Sequence, residues 1–326
     1  MNHAKHSDQT SKLFASDIDV RAFARVLRTI ALGKEITYYP RTVSTNDLAL
    51  DAARKGALHG QLFITDEQVA GRGRRGRSWE SPAGLSLLFS VVIRPQCGEI
   101  ANPSWISLLA GLSVVETLQD VCQLDAALKW PNDIVIPCSN APGWRKLGGI
   151  LCESAITALT SPATALKANQ SSQDYVVVGI GLNINQETAD LPATAKVPAT
   201  SVRLETNAQF GRQNILRAIL ECFEARLLEL NASDTRLRLK HVIADRLSQW
   251  WTTNHLLRVQ SVVVNSSAGI LACLSAGEDA CATSGLQILE GYFAGLDDLG
   301  RLKLKTATCD ETILVDAEIL SVSVRP

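Results

Sequence analysis

The sequence lacks most devices that would tie a protein to a metal, a membrane or a polyanion. Lysine and arginine number 32 against 33 aspartates and glutamates, for a formal net charge of -1, so no global field recruits nucleic acid or an anionic membrane. The eight cysteines, at 97, 122, 138, 152, 222, 273, 281 and 309, form no CxxC pair. The one close spacing, Cys273 and Cys281, has no histidines at metal-ligand distance. Several cysteines sit in apolar runs, where the free thiol packs as a small hydrophobe, and they read as reduced thiols of the cytosol. The polar start "MNHAKHSDQTSK" carries no signal-peptide segment, and no apolar run is long enough to span a bilayer. The expectation is a soluble, cytoplasmic protein without a membrane partner. What is present is ordinary: 46% apolar and 20% charged residues over 326 positions, enough for a sizeable core and for two domains.

Against that neutral background, "TDEQVAGRGRRGRSWESPAGLSLLFS" concentrates Arg72, Arg74, Arg75 and Arg77 among Gly71, Gly73 and Gly76. A solvated surface loop or a nucleic-acid patch would account for the charge alone. The loop, however, lies between two runs that read as buried strand. Its glycines permit close backbone approach to a ligand, and its arginines offer forked donors to phosphate or carboxylate. It is not a dinucleotide fingerprint, because a strand follows it, and no GK[ST] closes it as a Walker loop.

Around this loop the chain alternates strand and helix. "DIDVRAFARVLRTIA" has apolar residues at helical spacing (Val20, Phe23, Val26, Leu27, Ile30) and stops at Gly33. A strand "EITYYPRTV" follows. Next comes a helix "STNDLALDAARKGA", capped by Ser44 or Thr45 and stopped by Gly56. "LSLLFSVVIRP" is continuously apolar, as in a strand buried on both faces. "PSWISLLAGLSVVETLQDVCQL" reads as a deeply buried helix capped by Ser104. "ALKWPNDIVI", "KLGGILCES" and "DYVVVGIGLNIN" read as strands, with a mobile hairpin tip at 157–173. Two amphipathic helices are expected at about 210–230 and 234–251. Short strands with turns then form a small β-barrel, in which "DDLG" is the tightest turn and 265–288 an insertion.

Three further motifs carry polar groups into apolar sheet. In "KWPND", Pro131 breaks a strand and Asn132 and Asp133 stand at the turn; an Asx-turn would explain them, as would a carboxylate orienting a cation, either Mg²⁺ or a lysine. Lys146 precedes Gly148 and Gly149 at the head of a strand, and Gly179 and Gly181 interrupt another, where glycine marks a bulge or close approach.

Taken together and in this order, Ser44-Thr45-Asn46, "AGRGRRGRSW", "KWPND", "KLGGIL" and "GIGLNIN" resemble the biotin–protein ligases. The resemblance covers about residues 37–260 firmly and the C-terminal barrel more loosely. It implies an α+β fold, with a central mixed β-sheet flanked by helices, of class II synthetase-like biotin ligase type, plus a small C-terminal SH3-like barrel. The domains would then be an extension over 1–36, a catalytic domain over 37–255 and the barrel over 256–326. The implied activity joins biotin to ATP with Mg²⁺ as biotinyl-5′-adenylate, then passes biotin to a lysine of a biotin carboxyl carrier domain.

Position by position, the resemblance places Ser44, Thr45, Asn46 and Gln68 on biotin, with the backbone of Gly71 and Arg72. It makes Arg72, Gly73 and Arg74 the closing part of the loop, with Arg74 on the α-phosphate and biotin carboxylate. Arg77 and Trp79 would join the adenylate side, with Trp79 packing over the ligand. Lys146 would contact the carboxylate and the developing phosphate charge, Asn132 and Asp133 would position Lys146 or the metal, and Asn183 would lie at the adenine and ribose side. With 36 residues ahead of the first strand, no winged helix–turn–helix is expected and no direct DNA binding. Edge strands could pair two copies or receive the carrier domain. Arg325 is the one candidate for an arginine that reaches the adenylate from the C-terminal end. A lipoate or octanoyl ligase or transferase of related fold, and a non-enzymatic regulator binding the adenylate, are the alternatives.

Overall fold

Strands and helices follow one another in the computed structural model much as the apolar periodicity predicts. The structure describes residues 16–94, 103–138, 143–155, 174–193, 197–231, 239, 241–243, 255–264, 287–297, 300–305 and 312–324. The hairpin tip at 157–173, most of the expected helix at 234–251, the insertion at 265–288 and Arg325 lie wholly or largely outside these residues.

The central sheet has seven strands in the order β1-β2-β5-β9-β8-β7-β6. These are β1 (Ile36–Thr42), β2 (Leu62–Gln68), β5 (Ser86–Ile93), β6 (Ala127–Lys129), β7 (Asp133–Pro137), β8 (Trp144–Ala155) and β9 (Tyr175–Asn183). β3 (Gly71–Arg72) and β4 (Ser78–Trp79) form a separate two-stranded ribbon at the arginine loop. Only β1 and β2 run parallel; every other neighbour is antiparallel, so the sheet is mixed. β1 is the edge, which accommodates Pro40, a residue with no N–H to give to a further strand.

Every residue of β5 is buried, as its continuous apolar run predicts. Its odd positions, Leu87, Phe89, Val91 and Ile93, enter the main core with Val176, Val178, Ile180 and Leu182 of β9. Two helices cover that face: α3 (Pro103–Cys122) and α5 (Arg212–Asn231), the latter following the short α4 (Val202–Thr206). By length and hydropathy α3 could cross a bilayer, but 78% of its apolar window is buried inside the protein. Its first helical residue is Pro103, not a residue after a Ser104 cap: proline lacks the N–H that the first turn would leave unpaired. On the opposite face α2 (Thr45–Arg54) lays Ala49 and Ala53 on Phe63, Val92, Tyr175 and Val177. Its alanines keep the helix close to the sheet, and Asn46 in its first turn abuts Gly179 of β9.

The N-terminal helix is shorter than its periodicity suggests. α1 spans Val20–Val26, capped by Asp19, whose carboxylate accepts from the N–H groups of Arg21 and Ala22. Leu27 is already extended, and Ile30, expected on the buried stripe, is 79% exposed. Side chains of α5 supply the physical reason. Glu224 accepts from the backbone N–H of Ile30, Ala31 and Leu32, and Glu221 from that of Arg28, offering those donors better partners than another helical turn. The fully buried Arg212 secures the start of this strap through Asp17 and reaches Asp66 at 2.8 Å.

After the sheet, β10 (His255–Val264), β11 (Gln287–Leu296), β12 (Leu302–Lys305) and β13 (Thr312–Val324) close into a barrel. At the two described ends of the expected "DDLG" turn, Gly300 adopts φ +73° and donates its N–H to Asp297 O. Its end docks on the sheet part of the chain, where Trp130 Nε1 donates to Gly300 O at 3.1 Å and Leu302 and Leu304 join the main core.

Candidate active site

The cavity lies on the sheet face that carries α2, where the sheet gives up its side chains. Alternation along β9 puts Val176, Val178, Ile180 and Leu182 in the core and leaves Gly179 and Gly181 facing the other way. A Cβ on Gly179 would lie 1.9 Å from Asn46 Oδ1, and one on Gly181 3.0 Å from Trp79 Cε2. Both glycines are therefore sites of close approach, as their place in a strand predicts. They make room for a cavity of about 130 Å³ that opens to solvent.

One end of the cavity is polar and uncharged. Ser44 is the N-cap of α2 yet makes no side-chain cap bond, and it lines the cavity with Thr45, Asn46 and Gln68. Gln68 Oε1 accepts from Thr45 N at 2.8 Å, fixing the amide against the helix start. Ser90, on β5, donates to Asn46 Oδ1 at 2.6 Å, while Asn46 Nδ2 donates to Leu151 O and Glu153. These side chains are nearly all buried and orient one another.

The other end is cationic. Arg72, Arg74, Arg75, Arg77, Lys129 and Lys146 line the same cavity, with Asp133 as its one acid. The loop is a compact turn: Gly73 N–H bonds Arg77 O at 2.7 Å, and Arg75 and Gly76 both take positive φ. Here glycine is required at 76 for its conformation and at 71 for space, since a Cβ on Gly71 would meet Trp79 O at 2.4 Å. Arg72 is bound bidentately to Glu153 and also to Asp47. Arg74 reaches Asn132 Oδ1 at 3.4 Å, and Asn132 Nδ2 is anchored on Ile150 O. Trp79 lies against Gly181 with its indole N–H buried and unpaired.

Asp133 and Lys146 come together through a bulge. Lys146 and Gly149 stand three apart, which in a regular strand puts them on opposite faces. The register between β7 and β8 shifts so that Ile134 pairs with Gly148 but Val135 pairs with Lys146. Leu147 is the extra residue, and both Lys146 and Gly149 then face the cavity. Lys146 Nζ donates to Asp133 Oδ1 at 2.6 Å, and Lys129 Nζ lies 3.5 Å from Oδ2. Burial pushes the Asp133 carboxyl up, but Lys146 and then Lys129 outweigh it and hold the group below its ordinary value. Of the paired glycines, Gly148 is the tight one, with Leu182 and Gly181 O against its face, whereas Gly149 has ordinary room beside Lys146.

The structure thus gathers Ser44, Thr45, Asn46, Gln68, Arg72, Gly73, Arg74, Arg77, Trp79, Asn132, Asp133 and Lys146 around one cavity. Gly71 stands just behind its wall. Asn183 is also set back and buried, donating to Thr200 O at 2.9 Å and accepting from Gln186. Sequence reasoning missed Lys129: a lysine inside an apolar strand gives no periodic signal, although its place in "KWPND" beside Asp133 could have raised it. A metal held by Asp133 does not fit the site as built. Both carboxylate oxygens face ammonium groups, and among the described residues no three His, Cys, Asp or Glu side chains converge.

Fold and site together form a cavity with a neutral hydrogen-bonding end and a strongly cationic end, bordered by an arginine–glycine loop. Residues 38–164 match the Biotin/lipoate A/B protein ligase family. It is 32% identical over 200 residues to the bifunctional ligase/repressor BirA of Bacillus subtilis, covering 61% of this chain and 56% of that protein. The chain thus spans little more than half the length of that relative. With the biotin–[acetyl-CoA-carboxylase] ligase of Mycobacterium tuberculosis it shares 29% identity over 288 residues, 87% of each chain. The fold is that of the Aquifex aeolicus biotin protein ligase solved in complex with biotin and ATP, with a TM-score of 0.62, 23% identity, and coverage of 90% of this chain and 99% of that one.

Proposed function

We propose that this protein is an ATP-dependent ligase that converts biotin to biotinyl-5′-AMP and transfers it to a lysine of a biotin carboxyl carrier domain. The observation that carries the reading is the polarity of the cavity, amide and hydroxyl groups at one end and six cations with one carboxylate at the other. Ser44, Thr45, Asn46 and Gln68 suit the ureido ring of biotin, a buried group that must find every hydrogen bond. The cationic end suits a carboxylate and a triphosphate brought into contact.

In the first step a biotin carboxylate oxygen bonds to the α-phosphorus, the Pα–O–Pβ bond breaks and pyrophosphate leaves. The work of the protein is to bring two mutually repelling anions together and to stabilise the charge that develops. Arg74 and Lys146 take the α-phosphate and carboxylate; Asp133 holds the Lys146 ammonium in place, with Asn132 orienting Arg74. Arg72, Gly73 and Arg77 belong to the closing loop, and Trp79 packs over the product. Mg²⁺ accompanying ATP would supply charge neutralisation for the triphosphate, and Asp133 would not hold it, since both its oxygens face lysines. In the second step the acceptor lysine amine attacks the biotinyl carbonyl carbon, the C–O bond to phosphate breaks, AMP leaves and the amine gives up a proton. No side chain of this protein need act as nucleophile.

The same reading makes the C-terminal barrel SH3-like, and puts the enzyme in the cytoplasm without a direct DNA contact. Four free cysteines among the described residues, Cys122, Cys138, Cys152 and Cys222, support a reducing compartment. An edge strand of the sheet offers the carrier domain, or a second copy, a place to pair.

Biotin-dependent exchange of labelled pyrophosphate into ATP tests the proposal. Exchange with biotin and not with lipoate is expected. Exchange with lipoate alone would move the assignment to a lipoate or octanoyl ligase, and no exchange with either to a non-enzymatic adenylate-binding regulator.

A further inference from the structure

The proposed chemistry depends on where one ammonium group stands, and the backbone beneath Lys146 is held from outside the sheet. β8 pairs with β9 only from Gly148 onward, so the bulge leaves one side of Lys146 without its strand neighbour. Residues 198–200 fill that place. Lys146 N–H donates to Pro198 O at 2.7 Å, Thr200 N–H donates to Lys146 O at 2.9 Å, and Ala199 forms an isolated parallel bridge with Lys146.

This short segment is itself tied to Glu205 and Asn183 through Thr200, and Glu205 in turn to β8. Arg145, next to Lys146, binds Glu205 through two contacts of 2.8 Å. Thr200 Oγ1 donates to the same carboxylate, at Oε1. Asn183 Nδ2 donates to Thr200 O at 2.9 Å. Burial raises the Glu205 carboxyl, but Arg145 and Thr200 more than offset that and lower it, so it is ionised at neutral pH. None of Arg145, Asn183, Thr200 and Glu205 lines the cavity.

We infer that Glu205, with Arg145, Thr200 and Asn183, forms a positioning clamp that sets the backbone of Lys146 and so the place of its ammonium group against Asp133 and the reacting anions. The inference rests on the proposed adenylation chemistry and deepens it. The Lys146 side chain is long and flexible, and a strand at a bulge has no ladder to restrain it on that side. A slip of the backbone would carry Nζ away from the point where charge develops, and misplacement on the order of 1 Å can cost ~100-fold in rate. Asn183 accordingly acts on the chemistry through Thr200 and Lys146 rather than by touching the nucleotide.

A double-mutant cycle tests this, read as pyrophosphate exchange at saturating biotin and ATP. Glu205→Ala is expected to lower kcat about tenfold, with KM for biotin unchanged within about twofold. In a Lys146→Ala background the same substitution should have no further effect, because it acts through Lys146. Equal losses with and without Lys146, or an unchanged kcat in folded Glu205→Ala, would overturn the inference. Should Glu205→Ala fail to fold, Glu205→Gln keeps an oxygen for Thr200 and enters the cycle instead, with a smaller loss that again vanishes without Lys146.

A second readout is independent of the activity. Acetic anhydride labelling of Lys146, mapped by mass spectrometry and scaled to the exposed Lys55, should rise severalfold in the Glu205 variant. Unchanged labelling would overturn the clamp. Labelling that rises in a protein showing no exchange at all would retain the clamp and remove the ligase reading.

Discussion

Replacing Asp133 by asparagine removes the one acid of the cavity while preserving its shape. Two ammonium groups then face each other across a neutral amide. Lys129 is 4% exposed, so its charge has little water to turn to; Lys146, whose side chain is 30% exposed, can partly rehydrate. Removing one partner of a buried pair costs ~3–5 kcal/mol, whereas an exposed pair is worth ~0–1 kcal/mol. With one lysine near each limit, the expected loss of stability at pH 7 is about 3 kcal/mol. The pH dependence has a definite sign. The Asp133 carboxyl is lowered in the fold, so its contribution is complete above the unfolded carboxylate pKa of about 4 and is lost only as pH falls through the depressed folded value. Urea unfolding of parent and Asp133→Asn should therefore differ by a constant amount from pH 8 to pH 5, and the two should converge in stronger acid. Equal stability at pH 7, or a difference that fades between pH 8 and pH 6, would refute the argument that the carboxylate offsets two ammonium charges.

Gly179→Ala puts a methyl group 1.9 Å from Asn46 Oδ1; it should displace Asn46, break its bond from Ser90 and raise KM for biotin tenfold or more, as calorimetric titration of biotin would also show. Arg74→Ala should fold normally yet lose the adenylate prematurely, seen as early release of labelled intermediate in single-turnover reactions. Lys146→Ala should cut exchange, and an unchanged rate would return Lys146 to a surface role. Glu224→Ala leaves three backbone donors of the N-terminal strap without their carboxylate; a loss of about 3 kcal/mol in urea, with exchange activity retained below the melting point, is the expected pattern.

Local pattern was enough for much of the sheet and for the cavity rim. The run Ser86–Ile93 could only be a strand buried on both faces, and Gly179 and Gly181 signalled close approach before any contact was visible. The position of the arginine loop at the cavity was legible from its place between strands rather than from its charge. Three features stayed hidden because they depend on partners distant in sequence. α1 stops early since Glu224, nearly two hundred residues on, takes its backbone donors. The bulge at Leu147 is set by pairing with β7, so the alternation of β8 alone assigns Lys146 and Gly149 to opposite faces. Asn183 looked like a ligand group at a strand end, yet Thr200 and Gln186 occupy both ends of its amide, and nothing local announces them.

The strap between residues 17 and 32 also bears on how the chain is made. Its hydrogen bonds to Arg212, Gln213, Glu221 and Glu224 join positions 192 to 195 residues apart. Emerging from a ribosome, this segment waits until α5 is synthesised, and through that interval Asp17 and the donors at 28–32 have only water. Contacts so distant slow the search for the native state, which makes this strap among the last segments to be locked. In a chain shortened past Asp17, Arg212, 1% exposed, would keep Asp66 but forfeit the carboxylate that meets its backbone and side chain from the other side.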